Sequence, residues 1–188
     1  MPQFPQPTLT TGRLTLRSLQ ESDATVVAGL AGDERIARMT LRIPHPYSVD
    51  QAVAFIRKTA EEWSGDAAAV FAAVEHTTGR LVGTVGLVLE FAHRRAELGY
   101  WVAVEFWGRG FATEMARGVL SFAFERLPVD RVHAHAFGSN VASCRVLEKA
   151  GMVREGVLRR HVLKNDHGQD RWEDAVMYGV LREEMRAS

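Results

Sequence analysis

Glu105-Phe106-Trp107-Gly108-Arg109-Gly110-Phe111-Ala112-Thr113-Glu114 is the stretch on which the reading of this chain turns. It follows a strand-like run, Glu97 to Val104, and opens a helix-like run from about Thr113 to Phe124 that ends before Pro128. Glycines at 108 and 110 let bare backbone approach a ligand. The helix behind them directs unpaired N–H groups and the positive end of its dipole at the same point. That is an anion-binding device suited to a phosphate or pyrophosphate, although such turns also arise for steric reasons alone. A Walker A loop is excluded, because no Gly-Lys-Ser/Thr run occurs. A dinucleotide fingerprint is excluded too: it needs Gly or Ala where Thr113 stands, and it belongs on a first βα unit, not past the middle of a chain.

Upstream of the loop, Arg13-Leu14-Thr15-Leu16-Arg17 alternates like a half-buried strand. Ser22-Asp23 predicts the cap of a helix running to Ala31 and closed by Gly32, and residues 33–47 read as irregular, with Pro44-His45-Pro46 as a rigid turn. Ser48 and Gln51 form a capping box for a helix carrying Val53, Phe55, Ile56 and Trp63. Ala68 to Glu75 and Leu81 to Phe91 read as a hairpin turned at Thr77-Thr78-Gly79. Downstream come a strand from Arg131 to Phe137, a turn at Gly138-Ser139-Asn140, and a helix from Ala142 to Ala150 stopped by Gly151. Two last strands, Val153 to Val162 and Trp172 to Leu181, flank the polar turn Lys164-Asn165-Asp166-His167-Gly168. This order predicts an α+β fold, a mixed sheet with helices on its faces.

The chain has 188 residues, enough for one well-formed core, so residues 9–188 are expected to make a single domain behind a flexible lead-in at 1–8. Twenty-three basic residues balance 23 acidic ones, which argues against a nucleic-acid or membrane-surface partner while allowing a local patch for one small anion. The single cysteine, Cys144, excludes an internal disulfide framework and Cys-rich zinc sites. There is no secretory signal and no apolar run of membrane-spanning length, so a cytoplasmic protein is expected.

Three segments together resemble the GNAT N-acetyltransferases, and within them the RimJ/RimL-like ribosomal-protein N-terminal acetyltransferase branch. They are Thr11-Gly12-Arg13-Leu14-Thr15-Leu16-Arg17, then Ala96-Glu97-Leu98-Gly99-Tyr100-Trp101 with Trp107 to Glu114, and finally Asn140-Val141-Ala142-Ser143-Cys144-Arg145-Val146-Leu147-Glu148-Lys149-Ala150-Gly151-Met152. The resemblance runs from about Leu9 to Met185. It implies a mostly antiparallel central sheet and direct acetyl transfer from acetyl-coenzyme A, a co-substrate, to a primary amine, either a protein N-terminal α-amine or a small-molecule amine.

Carried over by resemblance, the acyl-coenzyme A loop falls on Trp107, Gly108, Arg109, Gly110, Phe111, Ala112 and Thr113. Trp107 replaces the family's polar first residue, which removes one side-chain donor. The family also splays its central strands here, which would lay Trp101, Val102 and Val104 along the pantetheine arm. Asn140 and Ser143 would lie beside the coenzyme, with Ser143 donating a proton to the leaving sulfur; Asn140 would also cap the following helix. Arg145 and Lys149 could reach its phosphates or remain solvated.

Glu97, on one strand face with Gly99 and Trp101, is the first candidate for the base, acting through water. The bland alternative is a sheet-end carboxylate paired with Arg94 or Arg95. Glu173 and Asp174 are weaker candidates. His133 and His135 share a strand face but lack a third ligand nearby in sequence, so no metal is expected. Cys144 reads as a buried, inert thiol. Trp63, Tyr100 and Trp172 could line an acceptor cleft or build core. The segments 33–47 and 164–170 are expected to shape the acceptor side. A homodimer has no dedicated signal and stays open. The competing class is a non-catalytic acyl-coenzyme A-binding regulatory module, which explains the glycine loop equally well.

Overall fold

The computed structural model describes residues 5–166 and 169–185. The expected lead-in therefore lies in part outside the described residues; within its described part, Gln6 donates its side-chain amide to the Val70 carbonyl at 2.8 Å. Eight strands form one sheet: β1 (Leu9–Thr10), β2 (Leu14–Ser18), β3 (Ala68–Glu75), β4 (Leu81–Glu90), β5 (Arg95–Val102), β6 (Arg131–Phe137), β7 (Val153–Asp166) and β8 (Gln169–Leu181), in the order β1-β2-β3-β4-β5-β6-β8-β7. Every neighbouring pair is antiparallel except β5 with β6, so the expected mixed, mostly antiparallel sheet is what forms.

The helices are α1 (Ala24–Ala31), α2 (Glu34–Met39), α3 (Val49–Ser64), α4 (Phe111–Arg126), α5 (Val141–Lys149) and α6 (Arg182–Met185). The capping box before α3 is present: Ser48 Oγ accepts from Gln51 N at 3.2 Å and Gln51 Oε1 from Ser48 N at 2.9 Å. Buried Ala52, Ile56 and Thr59 recur at helical spacing along its inner face. α4 carries eight buried residues from Phe111 to Phe124 and packs over β1, β2, β4 and β5. Phe122 of α4 meets Phe71 of β3 edge to face, at 5.5 Å between ring centroids. None of the helices among the described residues is long and apolar enough to cross a membrane.

The structure corrects the sequence reading in four places. Residues 33–47 are not irregular throughout, because Asp33 accepts from Arg35 N at 2.9 Å and starts α2. β1 was not foreseen; two residues pair with Leu16 and Thr15. Val104 lies beyond β5, in a 3-10 turn at Val104–Phe106. The last two strands run on through Asp166 and from Gln169, so most of the expected polar turn is strand, with 167–168 outside the described residues.

Candidate active site

The site begins where β5 and β6 part. They pair in parallel only at Arg95↔Arg131, Ala96↔Val132 and Glu97↔His133, and from Leu98 onward β5 keeps its β4 partners alone. The β6-facing edge of β5 is thus left without a ladder partner, at a place where backbone groups ordinarily find one. The chain then passes through the 3-10 turn into the glycine loop. Gly108 and Gly110 both take left-handed conformations, φ 73° and 81°. Only glycine adopts these without strain. Gly110 is the cap residue of α4 and supplies no side-chain acceptor, so the first N–H groups of that helix stay uncapped.

Around this turn three arginines lie over aromatic rings. Arg13 stacks on Phe111 at 4.4 Å, Arg80 on Phe106 at 5.0 Å, and Arg109 lies over both rings at 5.3 and 5.0 Å. Each has an acidic partner: Glu114 for Arg13, Glu105 for Arg80 and Glu75 for Arg109. Glu114 also accepts from Thr11 Oγ1 and from Arg13 N, both at 2.6 Å, and so ties the β1–β2 turn to the first turn of α4. Burial works to raise its pKa, but these bonds outweigh burial and hold it below the usual range.

Trp107 does not simply remove a donor. Its indole N–H donates to the Val102 carbonyl at 2.7 Å, while the ring stays about half exposed. Trp101 and Val102 are buried, Phe111 is buried, and Ala112 and Thr113 are half-buried at the start of α4.

Side chains alternate along β5, so Tyr100 and Glu97 point to opposite faces of the sheet. Tyr100 reaches α5, where its hydroxyl lies 2.8 Å from Ser143 Oγ. Burial pushes the Tyr100 pKa well above the phenol range, against the opposing effect of that hydrogen bond, and keeps the hydroxyl protonated. Asn140 caps α5 by accepting from Ser143 N at 3.0 Å. Arg145 and Lys149 are exposed on α5. Cys144 is half-buried, not fully buried as expected, and faces Tyr178.

On the other face, Glu97 shares a side with His133 and His135. Its partner is neither Arg94 nor Arg95, which bind Asp130 and Glu90. Glu97 Oε1 is 3.1 Å from His135 Nδ1. That hydrogen bond, against a smaller opposing effect of burial, holds the Glu97 carboxyl below the usual glutamate range. His133, by contrast, keeps Nδ1 buried without a hydrogen-bond partner among the described residues, and burial pushes its pKa down. No three His, Cys, Asp or Glu among the described residues are placed to hold a metal.

The segments 33–47 and 164–170 meet. Lys164 of β7 donates to the carbonyls of Ala37 and Thr40 at the end of α2, and Arg171 donates to Arg38 O at 3.4 Å. Arg42, just beyond α2, acts electrostatically on Glu97. Glu173 is buried and engaged by Ser139 and Arg171, and Asp174 accepts from Arg160 N at 2.7 Å, leaving both occupied structurally. Trp63, Tyr100 and Trp172 are not brought together: Trp63 packs on the main core, Tyr100 meets α5, and Trp172 is exposed under Arg160.

A family model described as an acetyltransferase (GNAT) domain matches residues 13–153. An uncharacterized N-acetyltransferase of Bacillus subtilis, YoaA, is 34% identical over 160 residues, 85% of this chain and 90% of that one. YdaF of the same organism, whose name proposes ribosomal N-acetylation, is 30% identical over 174 residues, 91% and 92% of the two chains. The crystal structure of a ribosomal-protein-S5-alanine acetyltransferase from Vibrio fischeri superimposes with a TM-score of 0.82 over 94% of this chain and 97% of that one; at 20% identity the likeness is one of fold. This chain belongs to the GNAT acetyltransferase family, and its kin include ribosomal-protein acetyltransferases of the RimJ/RimL-like kind. It is an acetyltransferase, a class that draws its acyl group from acetyl-coenzyme A.

Proposed function

We propose that the chain transfers an acetyl group from acetyl-coenzyme A to the α-amine of a protein N-terminus, with a small-molecule amine as the other acceptor class. The observation that carries this reading is the parting of β5 from β6 beside an uncapped helix N-terminus with two left-handed glycines. The residues fit the co-substrate. The N–H groups from Gly108 to Thr113, with Arg109 beside them, suit a pyrophosphate. The edge of β5 that β6 leaves beyond Glu97, ending at Trp101 and Val102 with Val104 beyond, suits the amides of a pantetheine arm, with the Val102 carbonyl itself held by Trp107. In this reading Asn140 and Arg145 of α5 would also meet the coenzyme.

Acyl transfer needs a neutral amine at one end and a proton for sulfur at the other. The two faces of β5 divide these tasks. Ser143, bonded to the protonated Tyr100 hydroxyl, would give the sulfur its proton. Glu97 marks the amine end, near the α2 segment and the β7–β8 arm that shape the acceptor side. An α-amine of pKa about 7.7–8 is neutral in roughly one molecule in ten at pH 7, against fewer than one in a thousand for a lysine of pKa about 10.4. A modest base therefore suffices for an N-terminal acceptor.

The test is thiol release from acetyl-coenzyme A against N-terminal peptides, polyamines, amino acids and aminoglycosides, run beside thermal shift with the coenzyme. Turnover on peptide α-amines supports the reading; turnover confined to polyamines replaces the acceptor; no stabilisation by the coenzyme overturns the site.

A further inference from the structure

Two histidines stand beside Glu97, and the structure treats them differently. His133 is the direct ladder partner of Glu97, and its Nδ1 is buried without a partner. His135 lies one pleat further on, past the last residue pair that β5 and β6 share. Its Nδ1 meets Glu97 Oε1 at 3.1 Å. A carboxylate only accepts hydrogen bonds, so the shared proton sits on Nδ1 and the lone pair of the neutral ring is left on Nε2. No described residue hydrogen-bonds to Nε2, which is also not among the buried polar atoms lacking a partner. The charged and titratable groups that face this pair are His133 on β6 and Arg42 from the segment after α2; from β8, the residue opposite His135 is the apolar Met177.

Glu97 itself is poorly suited to take a proton from an amine. The bond from His135 depresses its basicity further below the operating pH, and proton transfer is most effective when donor and acceptor are matched near that pH. An imidazole is the side chain that changes charge between pH 5 and 8.

Resting on the acyl-transfer reading above, we infer that His135 is the catalytic base of the reaction, taking the amine proton on Nε2, and that Glu97 is a positioning residue that fixes its tautomer. The neutral amine adds to the thioester carbon and a C–N bond forms. The proton on the cationic nitrogen passes to His135 Nε2. The C–S bond then breaks, and the sulfur takes a proton from Ser143, which is restored from water. The imidazolium returns its own proton to water, so amine and thioester become amide and thiol with every proton accounted for. His133 takes no part in this transfer, because burial disfavours its charged form and its Nδ1 has no partner among the described residues.

The experiment compares wild type, His135→Gln and Glu97→Gln by three readouts. They are thermal shift with acetyl-coenzyme A, kcat and KM across pH 5.5–9 with the best acceptor, and nitrogen-15 NMR of the histidine rings in the free protein. His135→Gln is expected to keep the coenzyme-induced shift, lose about a hundredfold or more in kcat, and lose the acidic limb of the rate profile. Glu97→Gln is expected to keep that limb, with roughly a tenfold loss in kcat. The NMR is expected to show His135 with its proton on Nδ1. Near-normal kcat in His135→Gln, or a limb abolished by Glu97→Gln alone, would return the base role to Glu97 and overturn the inference. An Nε2-protonated ring would overturn it without any turnover being measured. Wild type that binds coenzyme yet acetylates no amine would instead bring down the acyl-transfer reading, and this inference with it.

Discussion

Trp107 donates its indole N–H to the carbonyl oxygen of Val102, 2.7 Å away, and so closes the first residue of the glycine loop onto the end of β5. The carbonyl belongs to the strand edge that β6 abandons, where no ladder partner would otherwise satisfy it. Trp107→Phe keeps most of the ring and removes the donor. With the ring about half exposed, global stability should fall by no more than about 1 kcal/mol. The loop would lose a restraint that pre-forms it, and coenzyme affinity should weaken roughly three- to tenfold by calorimetric titration. Tighter binding by the variant would show that the indole competes with the coenzyme for Val102.

The Tyr100–Ser143 pair predicts a non-additive pair of variants. Tyr100→Phe removes a buried hydroxyl that bonds Ser143 Oγ at 2.8 Å. Ser143→Ala removes the other end. If the two hydroxyls act as one proton-donating unit, kcat for the double variant should match that of Ser143→Ala alone. Independent contributions would instead multiply. Coenzyme-induced stabilisation separates a lost proton donor from a disturbed α5.

How much of this was legible in the sequence follows from how local each feature is. The turn at 107–110 could be read because its chemistry lies within four residues: glycines that tolerate positive φ, then a helix start. The Ser48–Gln51 box and the Asn140 cap were legible for the same reason. α2 was hidden because its six residues precede two prolines that dominate the segment, although Asp33 before Glu34-Arg35 is a cap signal. β1 exists only because β2 is there to pair with it. The partner of Glu97 was the main miss. Arg94 and Arg95 are its sequence neighbours, but alternation and long-range register hand it to β6, and parallel register is not encoded in spacing. His133 and His135 were weighed only as a metal pair. Their common face was the available clue.

Glu114 should govern part of the acid sensitivity of the fold. Its carboxylate accepts from Thr11 Oγ1, Arg13 N and Arg13 Nε. Its pKa in the folded chain lies below the ordinary glutamate value of about 4.3. A carboxyl of that kind contributes stability that is fully present above its unfolded pKa and is lost as pH falls through its folded one. Urea unfolding from pH 6 to pH 3 should therefore show a shallower loss in Glu114→Gln than in wild type, with the two curves converging at the acid end. Glu114→Ala, which removes every acceptor, should cost about 2 kcal/mol at pH 7. Parallel curves for wild type and Glu114→Gln would show that the three bonds do not depend on charge.

Lys164 joins the two segments proposed above to shape the acceptor side. Its ammonium is buried and donates to the carbonyls of Ala37 and Thr40 at the C-terminal end of α2, the first of which also accepts from Thr40 N at 3.4 Å. A cation at that end also meets the negative pole of the helix. Lys164→Met keeps length and apolar packing but removes the charged donor from both carbonyls, so unfolding free energy should drop by about 1–3 kcal/mol. The functional consequence should be selective. α2 and the β7–β8 arm would no longer be held together, while Gly108, Gly110 and the N-terminus of α4 are built from other elements. KM for the amine should rise several-fold, with the affinity for acetyl-coenzyme A unchanged. Equal losses in both would mean that the contact supports the sheet as a whole, and a variant that fails only at the acceptor would tie Lys164 to acceptor binding.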